Sequence, residues 1–149
     1  LRFFQEKNYM IDIDRVFIDT NILVYSFLRE DPDKHNLALK LLSSCRSKIV
    51  VISTQVVSEI YSVLTKNKIS HESICQYIFE LEEELNIVPV SFEMVQKCLI
   101  LKIRYGYSYW DSLILSAALI WDCSILYSED MQHNQVIEGR LTIVNPFQL

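Results

Sequence analysis

The segment Ile49-Val50-Val51-Ile52 sets four consecutive apolar residues between Lys48 and Ser53. A strand with one wet face alternates apolar and polar residues, so an unbroken apolar run of this length suits a strand covered on both faces, as in a parallel sheet between helical layers. Four further stretches read as strands on the same grounds: Arg15-Val16-Phe17-Ile18, Asn86-Ile87-Val88-Pro89-Val90, Ser124-Ile125-Leu126-Tyr127 and Leu141-Thr142-Ile143-Val144. Helical periodicity fills the intervals. Thr20-Asn21 offers turn and cap chemistry before a short helix over Ile22 to Leu28, and Asp33 can cap a helix through Leu37, Leu39, Leu41 and Leu42 that ends near Cys45. Ser53 or Thr54 caps a helix carrying Val56, Val57, Ile60, Val63 and Leu64, and Ser70 caps its partner. Ser91 opens a third helical pair, Gly106 divides it and Ser108 heads the second member. Strands alternating with helices predict an α/β fold: a three-layer α/β/α sandwich on a mostly parallel sheet of about five strands, joined by right-handed crossovers.

The 149 residues suffice for one domain with a sizeable core, and two glycines and three prolines argue against a turn-rich all-β sandwich. Residues 1–14 read as an N-terminal extension, either natural upstream sequence or vector-derived, and residues 15–149 as the single domain. Cys45, Cys75, Cys98 and Cys123 lack any C-x-x-C spacing, which signals neither a zinc site nor a redox pair. No apolar run approaches the roughly 20 residues that span a bilayer, so the expectation is a cytoplasmic protein with no membrane partner.

Four acidic residues stand against this apolar background. Asp19 closes the first strand, Glu59 interrupts Val56-Val57-Ser58-Glu59-Ile60, Asp111 precedes Leu113-Ile114-Leu115 and Asp130 follows the fourth strand. In an open parallel sheet ligands bind beyond the carboxyl ends of the strands, and the helices that follow those strands begin on the same edge. All four carboxylates could therefore converge, and their mutual repulsion would ask for a divalent cation with oxygen preference. The competing reading is structural: Asp19 as a helix cap, Ser108-x-x-Asp111 as a capping box and Asp130 in a turn. Glu59 resists it, because Val56 and Val63 share its helical face.

The motifs Val16-Phe17-Ile18-Asp19-Thr20-Asn21-Ile22-Leu23-Val24-Tyr25, Ser58-Glu59-Ile60, Tyr109-Trp110-Asp111-Ser112-Leu113-Ile114, Ser128-Glu129-Asp130 and Asn145-Pro146-Phe147 resemble, in order and spacing, those of PIN-domain ribonucleases, most closely the VapC-like toxins of bacterial toxin-antitoxin pairs. The resemblance covers residues 15–147. It implies a PIN-like fold and a metal-dependent ribonuclease, with Asp19, Glu59 and Asp111 as Mg²⁺ or Mn²⁺ ligands and Asp130 as the fourth acid, ahead of the adjacent Glu129. Asn21 and Ser128 would orient them. It also implies an RNA substrate, a cognate antitoxin that occludes the acidic site, and a homodimer.

Other features carry weaker alternatives. The net charge of −5 tells against holding RNA by bulk electrostatics, leaving Lys66/Lys68 and Lys102/Arg104 as local phosphate contacts or simply solvated helix ends. Tyr105, Tyr107, Tyr109 and Trp110 could stack bases, although core packing or a dimer surface is the commoner use of such residues. His35, His71 and His133 are not adjacent to other candidates, save that His133 follows Asp130 by three residues. An aspartyl phosphatase would need an acid at position 21, where Asn21 stands. A PIN-like module that binds RNA or protein without turnover remains the non-enzymatic alternative.

Overall fold

A computed structural model describes residues 13–149. All but Ile13 and Asp14 of the N-terminal extension expected over residues 1–14 therefore lies outside the described residues. The elements run β1 (Arg15–Ile18), α1 (Thr20–Phe27), α2 (Pro32–Ser44), a 3-10 turn at Cys45–Ser47, β2 (Ile49–Ser53), α3 (Thr54–Lys66), α4 (His71–Glu84), β3 (Asn86–Val88), α5 (Phe92–Tyr105), α6 (Tyr109–Ile120), β4 (Ile125–Tyr127), β5 (Val136–Ile137), β6 (Leu141–Val144) and a closing 3-10 turn at Pro146–Gln148.

The sheet has the order β3-β2-β1-β4-β6-β5. Its first five members are parallel and β5 runs antiparallel at one edge. Val16, Phe17 and Ile18 are all fully buried, the two-sided cover that the unbroken apolar run implied. Burying a side chain such as Phe17 contributes about 1.5–3 kcal/mol relative to leaving it in water. Helices α1 to α4 pack on one another, α5 packs on α6, and both groups meet the sheet, through α3 on β2 and α6 on β2 and β4.

The sheet has six strands against the five expected. The additional one, β5, spans two residues, with Val136 half exposed and Ile137 buried, too short for an alternation to register. It is created by the hairpin turn after it: Glu138 and Gly139 both take positive φ (53° and 68°) and the Arg140 N–H bonds the Ile137 carbonyl at 3.1 Å, a type I′ geometry. The cap of α2 also differs from expectation. Asp31, not Asp33, accepts from the Lys34 N–H at 3.1 Å, because Pro32 occupies the first helical position, where its missing N–H costs nothing. Ser108 caps α6 and Gly106, at φ 77°, ends α5 in the left-handed conformation.

Candidate active site

Asp19 ends β1 and is the N-cap of α1. Its N–H continues the ladder to the Tyr127 carbonyl at 2.9 Å, so sheet register fixes the backbone. Its carboxylate is pinned as well: Oδ1 accepts from the Thr20 N–H at 2.8 Å and Oδ2 from the Ser128 hydroxyl at 2.8 Å, leaving the residue 5% exposed. Ser128 follows β4 directly, its own N–H bonded to the Val144 carbonyl of β6 at 3.0 Å.

Glu59 lies on α3, partly buried. The Thr20 hydroxyl donates to its Oε2 at 2.5 Å and the Gln55 amide nitrogen, one helical turn earlier, donates to its Oε1 at 2.9 Å. The same nitrogen donates to the Trp110 carbonyl at 3.1 Å, which ties α3 to the residue before Asp111. Asp111 sits in the first turn of α6, its N–H bonded to the Ser108 hydroxyl at 3.1 Å. Asp130 follows β4, where Asn21 Nδ2 donates to its Oδ2 at 3.0 Å and its N–H donates to Ser128 Oγ at 3.2 Å. Thr20, Gln55, Asn21 and Ser128 thus stitch Asp19, Glu59, Asp130 and the first turn of α6 into one network at the carboxyl edge of the sheet.

The carboxylates feel one another. Burial raises the Asp19 carboxyl from 3.8 to about 7, with hydrogen bonds from Ser128 and Thr20 opposing the rise and the charges of Asp130 and Glu59 adding to it. Asp111 is raised by burial, then by Asp130 and, more weakly, Glu59, with Ser108 pulling the other way. Asp130 is raised by burial, then by Glu129 and Glu59, with Lys34 lowering it. A cation among these acids would offset the mutual repulsion that adds to the effect of burial at Asp19, Asp111 and Asp130. The donor set, carboxylate oxygens with hydroxyl and amide neighbours, fits a hard divalent ion in kind. Among the described residues no three acidic, histidine or cysteine side chains already converge on one ion position; the acids are held by Thr20, Gln55, Asn21 and Ser128.

The remaining candidates separate cleanly. Glu129 is turned to a different cluster, accepting from the Tyr25 hydroxyl and from Lys34 Nζ at 2.9 Å, with the Lys34 ammonium 4.7 Å from the Tyr25 ring centroid and 5.2 Å from that of Phe147. His133 Nδ1 accepts from the Asn145 N–H at 2.9 Å, a structural use. Arg104 pairs with Glu138. The Tyr105 hydroxyl accepts from the Glu138 N–H at 2.8 Å and the Tyr107 hydroxyl from the Gln132 N–H at 3.0 Å, so both fasten loops, whereas the Trp110 side chain is 61% exposed. Sequence reasoning did not single out Thr20, Gln55 or Lys34. Gln55 carried a signal, since position i−4 from Glu59 shares its helical face; Lys34 reaches Glu129 across 95 residues of chain and carried none.

A family model described as PIN domain matches residues 16–138. No curated protein sequence matches the chain. Among solved structures, VapC20 of Mycobacterium tuberculosis, a sarcin-ricin loop cleaving toxin, aligns with a TM-score of 0.65 at 17% identity over 76% of this chain and 88% of that one. A toxin-antitoxin complex from Klebsiella pneumoniae aligns at 0.65 and 20% identity, over 88% and 97%. VapBC2 of Rickettsia felis, bound to a DNA fragment from its promoter, aligns at 0.64 and 20%, over 88% and 99%. At these identities the shared property is the fold. Among the described residues no helix is long and apolar enough to cross a membrane.

Proposed function

The chain belongs to the PIN domain family, and from that premise we propose that it is a metal-dependent ribonuclease that hydrolyses RNA phosphodiester bonds as the toxin of a type II toxin-antitoxin pair. The observation that carries the reading is the network in which Thr20 holds both Asp19 and Glu59 while Ser128 holds both Asp19 and Asp130, so that acids from three distant chain segments share one crevice.

Asp19, Glu59, Asp111 and Asp130 would hold Mg²⁺ or Mn²⁺, which when bound activates water and neutralises charge on the phosphate. The chain's own part is positional. Asp19 is fixed by sheet register and two hydrogen bonds, so it presents one oxygen set to the crevice without rotamer search. Glu59 is steered by Thr20 and Gln55, and Asp130 by Asn21. Burial raises the proton affinity of Asp19 far above its ordinary value, so a cation beside it would favour its ionised form. The charge of Lys34, paired with Glu129, is felt at Asp130, where it opposes the repulsion from Glu129 and Glu59.

The structural likeness to the Klebsiella pneumoniae and Rickettsia felis toxin-antitoxin complexes supports an antitoxin partner, which would offer Arg or Lys to the carboxylates. A homodimer is supported by α5, where Phe92, Leu99 and Ile103 are 73%, 51% and 89% exposed at spacings that share one helical face. We place the protein in the cytoplasm, where its substrate is. The test is cleavage of a broad RNA pool by purified protein with and without Mn²⁺: metal-dependent cutting abolished by Asp19→Asn and Asp111→Asn, with the fold retained by circular dichroism, is expected. No cutting under any condition would leave a PIN-like binding module.

A further inference from the structure

We propose that the cavity between α3 and α6 is a nucleobase subsite, in which a base beside the scissile phosphate stacks on Trp110 and is read along its polar edge by Gln55, Ser58 and Ser62; the proposal rests on the ribonuclease reading. The cavity measures about 580 Å³ and is walled by Val95 and Leu113 on its apolar side, with Glu59 of the acidic network on its border. A group entering it is therefore within reach of a phosphate held at the acids. Apolar walls with a few polar groups are the usual make-up of a ligand pocket of this size.

Two independent observations point to an occupant. Gln55 is 8% exposed and lines the cavity; its nitrogen is committed to Glu59 and the Trp110 carbonyl, both acceptors, which fixes the amide orientation and leaves Oε1 with no partner among the described residues. A buried acceptor without a donor is costly; Oε1 is itself closed to solvent, so a base bearing an amino or imino group would meet it once the amide shifts toward the cavity. Trp110 is exposed, and Tyr109 braces it edge-on at a centroid distance of 5.0 Å and 87°, which leaves an indole face free. Base–aromatic stacking is a strong, sequence-tolerant source of RNA affinity. This chain needs such a source, because a net charge of −5 makes backbone phosphates poor anchors.

The experiment has a binding arm and a cleavage arm. In EDTA, with Trp121→Phe removing the other indole, titration with a mixed-sequence single-stranded RNA decamer quenches Trp110 fluorescence. Ser62→Leu, which fills the cavity while leaving Trp110, weakens that binding about tenfold. In Mn²⁺, Trp110→Ala raises KM about tenfold with kcat within about twofold and flattens the base preference at one position beside the cut, while Trp110→Phe restores most of it. Quenching without any cleavage would sustain the subsite and sink the nuclease. Cleavage with no quenching, or with KM and base preference unchanged in Trp110→Ala, would overturn the subsite and leave Trp110 to a protein partner.

Discussion

The Thr20 hydroxyl lies 2.5 Å from Glu59 Oε2, joining α1 to α3 across 39 residues of chain, while the Thr20 N–H holds Asp19. Thr20→Val keeps shape and N–H but removes the donor, so Glu59 loses one of its two anchors. The expected result is a loss of roughly 10- to 100-fold in Mn²⁺-dependent cleavage, the usual cost of removing a residue that orients a metal ligand, with a stability change of about 1 kcal/mol. Steady-state cleavage and thermal melts check both, and unchanged kinetics would show that Thr20 is only packing.

The Asp19 carboxyl titrates near 7 in the fold against 3.8 as its ordinary value. The folded state therefore binds this proton more tightly than the unfolded chain, so its contribution to stability is full below about pH 4 and is lost as pH rises to about 7. Metal-free protein should melt lower at pH 8 than Asp19→Asn does, by several degrees, because the amide keeps the contacts to Thr20 and Ser128 without a buried charge. Added Mn²⁺ should raise the wild-type melting temperature at pH 8 and leave Asp19→Asn unmoved. Melts across pH 4 to 8 in EDTA and in Mn²⁺ decide this.

Asp130 and Glu129 are neighbours with different surroundings: Asn21 holds the first, Tyr25 and Lys34 hold the second. Asp130→Asn should cost at least tenfold in cleavage, whereas Glu129→Gln should stay within about threefold and lose about 1 kcal/mol or less, since Lys34 is partly exposed and screened. Equal losses from both substitutions would contradict the division of labour.

The fold was legible where apolar runs were unbroken. Val16 to Ile18 and Ile49 to Ile52 announced parallel strands because short apolar runs between polar residues suit strands covered on both faces, and Ser108 and Gly106 announced their helix ends through caps. Strand β5 was not legible, because a turn at Glu138-Gly139 and not its own two residues brings it to the sheet. The four acids stood out because charge abutting apolar sequence needs a reason. Of the orienting residues, the family resemblance named Asn21 and Ser128; Thr20 and Gln55 carried no such mark, since Thr20–Glu59 joins residues whose proximity exists only after the sheet has formed.

The apolar face of α5 should hold two copies together in solution. Ile103→Glu, at a side chain 89% exposed in the single chain, should leave the melting temperature of the fold within a few degrees but shift the mass by light scattering from dimer to monomer. A wild-type protein that is monomeric at micromolar concentration would remove the dimer.

Manganese titration followed by electron paramagnetic resonance tests the acidic crevice most directly. Wild-type protein at neutral pH should withdraw Mn²⁺ from the free-ion signal stoichiometrically, and the folded Asp19→Asn/Asp111→Asn variant should leave that signal untouched. Equal withdrawal by both proteins, or none by the wild type, would contradict the assignment of these carboxylates as a metal centre.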